Sequence, residues 1–202
     1  MLAVALGVLV AANVQMMLAS FVVQRLVPLE VPAPGIEGVG KLRVVDAKVW
    51  RGAHPSVLGY RELAAAGVTT IVDLRAEKDA VADHADASAA GLGVVHLPIR
   101  DGQLPSDAQV AQFLQIVRDA PGTVFVHCGA GVGRTGAMVA AYLVATGQAT
   151  ALQALARNLA VGPPSLEQVW WAGTRDLGHR PPAVIVGLSR FLDAPRRLLA
   201  GL

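Results

Sequence analysis

Apolar positions form one unbroken run at the start of the chain, before any other pattern begins. Residues Leu2 to Val23 are almost wholly apolar, and no charged side chain occurs before Arg25. At about 1.5 Å per residue, a helix of this length matches a hydrocarbon core of roughly 30 Å. The run therefore predicts a hydrophobic N-terminal helix over residues 1–27, as a transmembrane or signal-anchor segment. A cleaved signal peptide is the alternative.

The charges that flank this run predict its orientation. Basic residues follow it and none precedes it, namely Arg25, Lys41, Arg43, Lys48 and Arg51. The positive-inside rule then predicts a single-pass membrane protein with the rest of the chain in the cytoplasm. Residues 28–40 are rich in proline and glycine, which predicts an extended linker.

From Lys41 onward, strand-like and helix-like patterns alternate. The expected strands lie near residues 49–53, 69–74, 94–99 and 123–126. The expected helices cover residues 56–66, 77–90, 107–117 and 135–146, and two more open at Thr150 and Ser165. Ser106, Thr150 and Ser165 each precede a glutamine by three residues, which is the capping-box pattern. Strands separated by helices predict an α/β fold, with a mixed, mostly parallel central sheet flanked by helices on both faces.

This alternating part predicts one domain over residues 41–178, followed by a tail over residues 179–202. The tail carries Arg190, Arg196 and Arg197 among apolar residues. It is expected either to pack on the domain or to lie on the inner membrane surface as a basic amphipathic segment. Pro195 argues against one continuous helix there.

Composition and charge exclude several classes of function. The formal net charge of +2 and the absence of clustered basic residues give no support for nucleic-acid binding. The single cysteine excludes an internal disulfide and a cysteine-rich zinc site. The five histidines are scattered along the sequence without metal-ligand spacing, so neither a metal nor another cofactor is expected.

The sequence around this one cysteine, His-Cys-Gly-Ala-Gly-Val-Gly-Arg-Thr over residues 127–135, carries the candidate chemistry. It joins an expected strand to an expected helix, where backbone N–H groups converge and the helix N-terminus adds positive potential. Gly129, Gly131 and Gly133 permit the backbone angles that such a cradle needs. The same field favours the thiolate of Cys128. Five residues on, Arg134 returns to the rim with a guanidinium that can bind two phosphate oxygens. A Walker loop would instead end in Gly-Lys-Ser/Thr.

This segment resembles the signature loop of the protein tyrosine phosphatase superfamily. The region from about Val49 to Ala172 is similar to the small dual-specificity branch of that superfamily. Three further segments carry the resemblance, namely Trp50-Arg51-Gly52-Ala53-His54-Pro55, the stretch from Gly67 to Arg75, and His96-Leu97-Pro98-Ile99-Arg100-Asp101. The resemblance implies the cysteine-phosphatase fold.

The resemblance also implies roles for individual residues. Cys128 is the expected nucleophile, and Asp101 the expected general acid, with Asp73 and Asp107 as competing acids. Thr135 is expected to hydrogen-bond the Cys128 sulfur, and His127 to support the loop from behind, unless it is a core histidine. The expected phosphate ligands are the Arg134 side chain and the backbone amides of the loop, namely those of Gly129, Ala130, Gly131, Val132, Gly133 and Arg134.

The sequence allows two interpretations for each of four further residues. Gln168 either positions the hydrolytic water or completes the capping box of Ser165. Arg51, Arg75 and Arg100 either shape the pocket or are simply solvated.

The predicted function is hydrolysis of phosphate monoesters through a phosphocysteine intermediate. Ala130 and Val132 stand where inositol-phosphate phosphatases often carry lysine, which favours phosphotyrosine or mixed phosphoprotein substrates. A phosphoinositide or another small phosphomonoester at the membrane is the alternative. A non-catalytic phosphate-binding pseudophosphatase is more remote, because the cysteine, the arginine and an acid are all present. Sulfur transfer and arsenate reduction are disfavoured, because arsenate reduction generally needs further cysteines.

Overall fold

The computed structural model describes residues 2–26 and 36–200, which form five strands and eight α-helices. The strands are β1 (Arg43–Val44), β2 (Val49–Gly52), β3 (Val68–Arg75), β4 (Gly93–Ile99) and β5 (Thr123–His127). The helices are α1 (Leu2–Leu26), α2 (Val57–Ala65), α3 (His84–Ala89), α4 (Asp107–Asp119), α5 (Gly133–Ala145), α6 (Ala151–Val161), α7 (Leu166–Gly173) and α8 (Ala183–Ala200). Short 3₁₀ turns lie at Lys78–Val81 and Arg175–Leu177.

The five strands form one sheet in the order β1-β2-β5-β3-β4. Strand β1 is antiparallel to β2, and all other neighbours are parallel. The predicted mixed, mostly parallel sheet is therefore confirmed. The two-residue β1 is too short to leave a hydrophobic pattern, and the sequence did not predict it. Strand β5 lies between β2 and β3, so the loop that follows it opens at the middle of the sheet.

Hydrophobic side chains fill both faces of this sheet. On one side, helices α4, α5 and α7 contribute to the larger core, which includes Phe113, Met138 and Trp171. On the other side, helices α2 and α3 close a smaller core around Tyr60 and Leu63. All five side chains are almost fully buried. Helices on both faces exclude water from the sheet, as the apolar runs of its parallel strands require.

Capping residues start the helices where the sequence places them. Ser106, Thr150 and Ser165 each form a complete capping box with the glutamine three residues on. One predicted helix is wrong in extent, because residues 77–90 divide into a 3₁₀ turn and the short α3. Arg75 binds Asp83 at 2.7 Å, and this ion pair fixes the segment just before α3 against the end of β3.

The N-terminal helix α1 lies against the domain, where its Ser20 is buried and donates a 2.6 Å hydrogen bond to the Leu159 carbonyl of α6. Across the described residues, no helix combines the length and the apolarity that crossing a bilayer requires. The predicted single-pass membrane localisation, with the membrane as a partner, is therefore wrong.

The segments expected as linker and tail are described in part, and their predicted bounds stay a prediction. Residues 28–35 of the predicted linker lie outside the described residues, whereas Ile36 and Val39 pack against the smaller core. The tail forms helix α8, which continues through Pro195, so the expected interruption is wrong. A proline inside a helix removes one backbone donor without forbidding the helical φ. Ser189 of α8 accepts a hydrogen bond from the Glu167 backbone at 3.1 Å, which joins this helix to α7.

Candidate active site

The candidate phosphate-binding loop connects the end of β5 at His127 to the start of α5 at Gly133. In open α/β sheets, ligands bind at the carboxyl ends of the strands, which is where this loop lies. The N-cap of α5 is Val132, whose side chain makes no capping hydrogen bond. The first N–H groups of α5 therefore have no side-chain acceptor at the cap, and they remain available to an anion. Cys128 precedes this turn and is almost fully buried.

Arg134, in the first turn of α5, is held by two hydrogen-bond partners. Its Nη1 and Nη2 each donate to one carboxylate oxygen of Glu77 at 2.8 Å. Nη1 also donates to the Ile99 carbonyl at 3.1 Å. Burial opposes the charge, but the hydrogen bonds to Glu77 together with the negative charges of Glu77 and Asp101 outweigh it, and the pKa of Arg134 is raised. Its Nε is buried and has no hydrogen-bond partner within the described part of the chain, which leaves one donor for a phosphate oxygen.

Glu77 is a site residue that the sequence analysis missed. It follows the carboxyl end of β3 by two residues, and a carboxylate at the end of a strand beside β5 was the available signal. Burial raises its pKa, but the hydrogen bonds and the charge of Arg134, together with backbone hydrogen bonds to the carboxylate, outweigh burial and hold the pKa of Glu77 below its ordinary value. The carboxylate thus stays ionised and keeps the guanidinium in one orientation.

Asp101 is the predicted acid that the fold brings to this loop. It follows β4, and its Oδ1 lies 3.4 Å from Nη2 of Arg134, with the side chain more than half exposed. The competing acids are engaged elsewhere. Asp73 is fully buried against Arg75 at 2.8 Å, and Asp107 lies 3.4 Å from Arg175 on the surface.

The segment that follows Asp101 is tied to the start of α7. Ser165 donates through Oγ to the Gly102 carbonyl at 3.0 Å. Gln168 donates through Nε2 to the Gln103 carbonyl at 3.1 Å, while its Oε1 accepts from the Ser165 backbone. Gln168 therefore completes the capping box and holds the acid-bearing segment at once. Water positioning by Gln168 stays a prediction.

His127 lies behind the nucleophile and is completely buried. Its Nδ1 is 3.2 Å from the Cys128 carbonyl, which can only accept, so Nδ1 carries the proton. Burial lowers the pKa of His127 to about 4, against the opposite pull of Asp73. The ring is therefore neutral near pH 7 and acts as a hydrogen-bond donor within the core. Thr135 is also fully buried, and its Oγ1 has no hydrogen-bond partner among the described residues, so the expected hydrogen bond to the Cys128 sulfur is not formed in this structure and its role stays a prediction.

Charged side chains form a network on the β3 side of His127. Asp73 accepts from Arg75, and lies 3.1 Å from His84 and 3.9 Å from His127. Burial raises the pKa of Asp73, but the hydrogen bonds and the charge of Arg75, together with smaller electrostatic contributions, outweigh burial and bring the pKa to about 2. The histidines that are scattered in the sequence therefore partly converge in space, with the rings of His54 and His127 at 5.5 Å. Within the described residues, no three His, Cys, Asp or Glu side chains are grouped to hold a metal ion.

The three arginines whose roles the sequence left open differ in burial and in their contacts. Arg51 is fully buried and Arg75 nearly so, which excludes the solvated alternative for both. Arg75 lies in the network of Asp73, whereas Arg51 contacts the loop itself, donating to the Gly131 carbonyl at 2.9 Å. Arg100 is exposed.

Comparison with known proteins agrees with this geometry. Residues 36–170 match a family model described as PTP-NADK, a DSP-PTPase phosphatase fused to NAD+ kinase. The rice (Oryza sativa subsp. japonica) protein named Probable NAD kinase 2, chloroplastic, is 40% identical over 101 residues, which are 47% of this chain and 10% of the relative. The human dual specificity protein phosphatase CDC14C is 36% identical over 109 residues, covering 48% of this chain and 22% of the relative. The chain thus spans less than a quarter of either relative.

Solved structures show the same fold. TpbA of P. aeruginosa superposes with a TM-score of 0.58 at 23% identity, covering 81% of this chain and 94% of TpbA. The active form of Tk-PTP also superposes with a TM-score of 0.58 at 23% identity, covering 70% of this chain and 98% of Tk-PTP. The predicted superfamily, its small dual-specificity branch and the cysteine-phosphatase class are confirmed at the level of the family. The chain belongs to the PTP-NADK family of dual-specificity-type protein tyrosine phosphatase domains.

Proposed function

We propose that this chain hydrolyses phosphate monoesters through a phosphocysteine intermediate on Cys128, as a protein phosphotyrosine or dual-specificity phosphatase. One observation carries the proposal. Arg134 is fixed by Glu77 at 2.8 Å beside the loop that holds Cys128, and Asp101 lies 3.4 Å from the same guanidinium. The proposed nucleophile Cys128, the proposed phosphate-binding Arg134 and the proposed proton donor Asp101 therefore lie at one loop.

The first step transfers the phosphoryl group to sulfur. The Cys128 thiolate attacks phosphorus, the S–P bond forms, and the bond from phosphorus to the leaving oxygen breaks. Asp101 delivers its proton to that oxygen, so the alcohol or phenol departs neutral. The loop amides and Arg134 hold the three equatorial oxygens, where charge is spread in the transition state.

The second step returns the enzyme to its starting state. A water molecule attacks phosphorus, Asp101 takes its proton, and the S–P bond breaks to release inorganic phosphate. The thiolate that leaves needs a hydrogen-bond donor, and the hydroxyl of Thr135, which is buried in the first turn of α5 and has no partner among the described residues, is available for that role. No metal is required in either step.

The loop favours a singly phosphorylated substrate. The two non-glycine positions inside it, Ala130 and Val132, add no positive charge for a polyphosphorylated ring. A structure of P. aeruginosa TpbA holds phosphotyrosine, which supports the phosphotyrosine class for a chain of the same fold. A small phosphomonoester such as an inositol phosphate is the second candidate, because the yeast SIW14 core, described as a PP-IP phosphatase, shares the fold with a TM-score of 0.57.

The test is a substrate panel on the full chain. Wild-type protein and Cys128→Ser are assayed on p-nitrophenyl phosphate, a phosphotyrosine peptide, a phosphoserine peptide and a short-chain phosphoinositide. We expect hydrolysis of the phosphotyrosine peptide that disappears in Cys128→Ser. Unchanged hydrolysis in Cys128→Ser would remove the cysteine mechanism, and a clear preference for the phosphoinositide would overturn the phosphoprotein class.

A further inference from the structure

We infer that Arg51 and Asn158 are positioning residues of the phosphate-binding loop, acting together on the Gly131 carbonyl from behind. The inference rests on the proposed function of the loop. Arg51 is fully buried in β2, and its Nη2 donates to Gly131 O at 2.9 Å and to Asn158 Oδ1 at 3.1 Å. One guanidinium nitrogen thus bridges the loop to helix α6.

Asn158 anchors this bridge to the start of α5. It is 1% exposed, and its side chain packs directly against Gly136, where any Cβ would overlap it. Gly136 lies in the first turns of the helix whose N–H groups face the anion site. The pair Arg51–Asn158 therefore contacts both parts of the cradle, the loop and the helix.

The direction of the Gly131 carbonyl fixes the direction of the next backbone N–H, which belongs to Val132. In a planar trans peptide, the C=O of one residue and the N–H of the next point in opposite directions. Arg51 is buried and binds Gly131 O from the protein interior. The N–H of Val132 therefore points away from the interior, toward the side of the loop where the anion would bind. The Gly129 carbonyl behaves in the same way, since it accepts from His54 N at 3.0 Å, and this directs the N–H of Ala130 inward. The chain from Arg51 to His54 thus arranges alternate loop amides around one point.

The buried charge argues for more than packing at position 51. Placing a guanidinium in the interior carries a large desolvation cost, and an apolar side chain of similar volume would fill the space without that cost. A fixed positive charge that touches the loop from the protein side adds to the field of the helix N-terminus. An anion bound in the loop therefore gains both from oriented amides and from the charge of Arg51.

The experiment measures binding of inorganic phosphate and turnover of p-nitrophenyl phosphate separately. Arg51→Met removes the donors and the charge, and Arg51→Lys keeps the charge with one compact donor group. We expect Arg51→Met to weaken phosphate binding about tenfold to a hundredfold, as the loss of a charge-assisted hydrogen bond predicts. We expect Arg51→Lys to recover part of that loss. Val117→Ala, a core substitution in α4, is the control: it should lower Tm and leave phosphate affinity unchanged.

The outcomes distinguish this inference from the proposed function. If Arg51→Met folds and binds phosphate within twofold of wild type, the positioning role is overturned. If it does not fold, Asn158→Ala decides, with phosphate binding at least threefold weaker expected and wild-type affinity overturning the role. Phosphate binding that depends on Arg51, in a wild-type chain that hydrolyses no ester, would sink the proposed function and leave this inference standing.

Discussion

Gly131→Ala tests whether the shape of the loop, beyond its chemistry, sets the rate. Gly131 has φ +71°, in the left-handed region where an alanine costs about 1–2 kcal/mol. A Cβ added there would also lie 2.5 Å from the Ala53 nitrogen and 2.6 Å from the Gly52 carbonyl oxygen. Ordinary contacts need about 3.5 Å, so the loop must move by about 1 Å. The opposing atoms are backbone at the end of β2, which the sheet holds in place.

A displacement of that size has a predictable effect on catalysis. Moving reacting groups by about 1 Å costs about 100-fold in rate. We therefore expect kcat/KM on p-nitrophenyl phosphate to fall about 100-fold in Gly131→Ala. Urea unfolding should show a loss of stability greater than the backbone cost alone.

Gly147→Ala provides the matched control for this experiment. Gly147 has nearly the same φ of +69° but nothing within 4 Å of an added Cβ, and it lies after α5, away from the loop. We expect it to lose about 1–2 kcal/mol of stability and to keep wild-type kcat/KM. The reasoning is refuted if Gly131→Ala stays within threefold of wild type, or if both variants lose activity equally.

Three further predictions address the acid, the arginine and the buried histidine. Asp101→Ala should slow turnover by about two to four orders of magnitude while inorganic phosphate binds as before; an undiminished rate on a substrate with a poor leaving group would remove Asp101 from the mechanism. Glu77→Gln keeps the shape but loses the charge that orients Arg134. Because Glu77 is half exposed, we expect only about a three- to tenfold weaker affinity for phosphate, measured by calorimetry, and unchanged affinity would contradict the orienting role. His127 has a pKa of about 4 when folded and an ordinary value of 6.5. The unfolded chain therefore binds the extra proton first, and stability should fall as pH drops from about 6.5 to about 4, by up to about 3 kcal/mol. Asp73, with its pKa of about 2, stays ionised across that range. In His127→Asn, the urea midpoint should depend less on pH across this range than it does in the wild type. An equally steep pH dependence in that variant would assign the effect to other groups.

Local signals predicted most of the elements that build the fold. β-Branched runs such as residues 69–74 match β3, because a buried parallel strand needs little beyond apolar side chains in sequence. The capping boxes at Ser106, Thr150 and Ser165 were predictable because each closes within four residues. One exception was residues 77–90, where contacts with Arg75 and Asp73 override the helical pattern.

Long-range contacts explain what the sequence did not reveal about the site. The hydrogen bond from Arg51 to Gly131 joins residues 80 apart, and the contact of Glu77 with Arg134 joins residues 57 apart. The carboxylate of Glu77 just beyond β3 was the local signal, and it indicates a partner of the loop only once the order of strands is known. The position of Cys128 before the helix could be inferred from eight neighbours, whereas its supporting residues depend on the order of strands in the sheet.

The N-terminal helix shows why apolarity alone is an incomplete guide. Its apolar run predicted a membrane helix, yet Ser20 is buried against α6, which a list of apolar residues does not reveal. The hydrogen bond from Ser20 to the Leu159 carbonyl is one of the contacts that hold the helix on the domain.

The bridge of Arg51 and Asn158 has a consequence for the order in which the protein is made. Asn158 follows Cys128 by thirty residues, so a ribosome exposes the cysteine before the chain that completes its surroundings. Until β2, α5 and α6 have docked, the loop amides have no imposed direction and the thiol has no organised field around it. Under the proposed function, phosphatase activity therefore arrives only with the finished tertiary structure, because truncated chains lack the oriented amides that bind the phosphate.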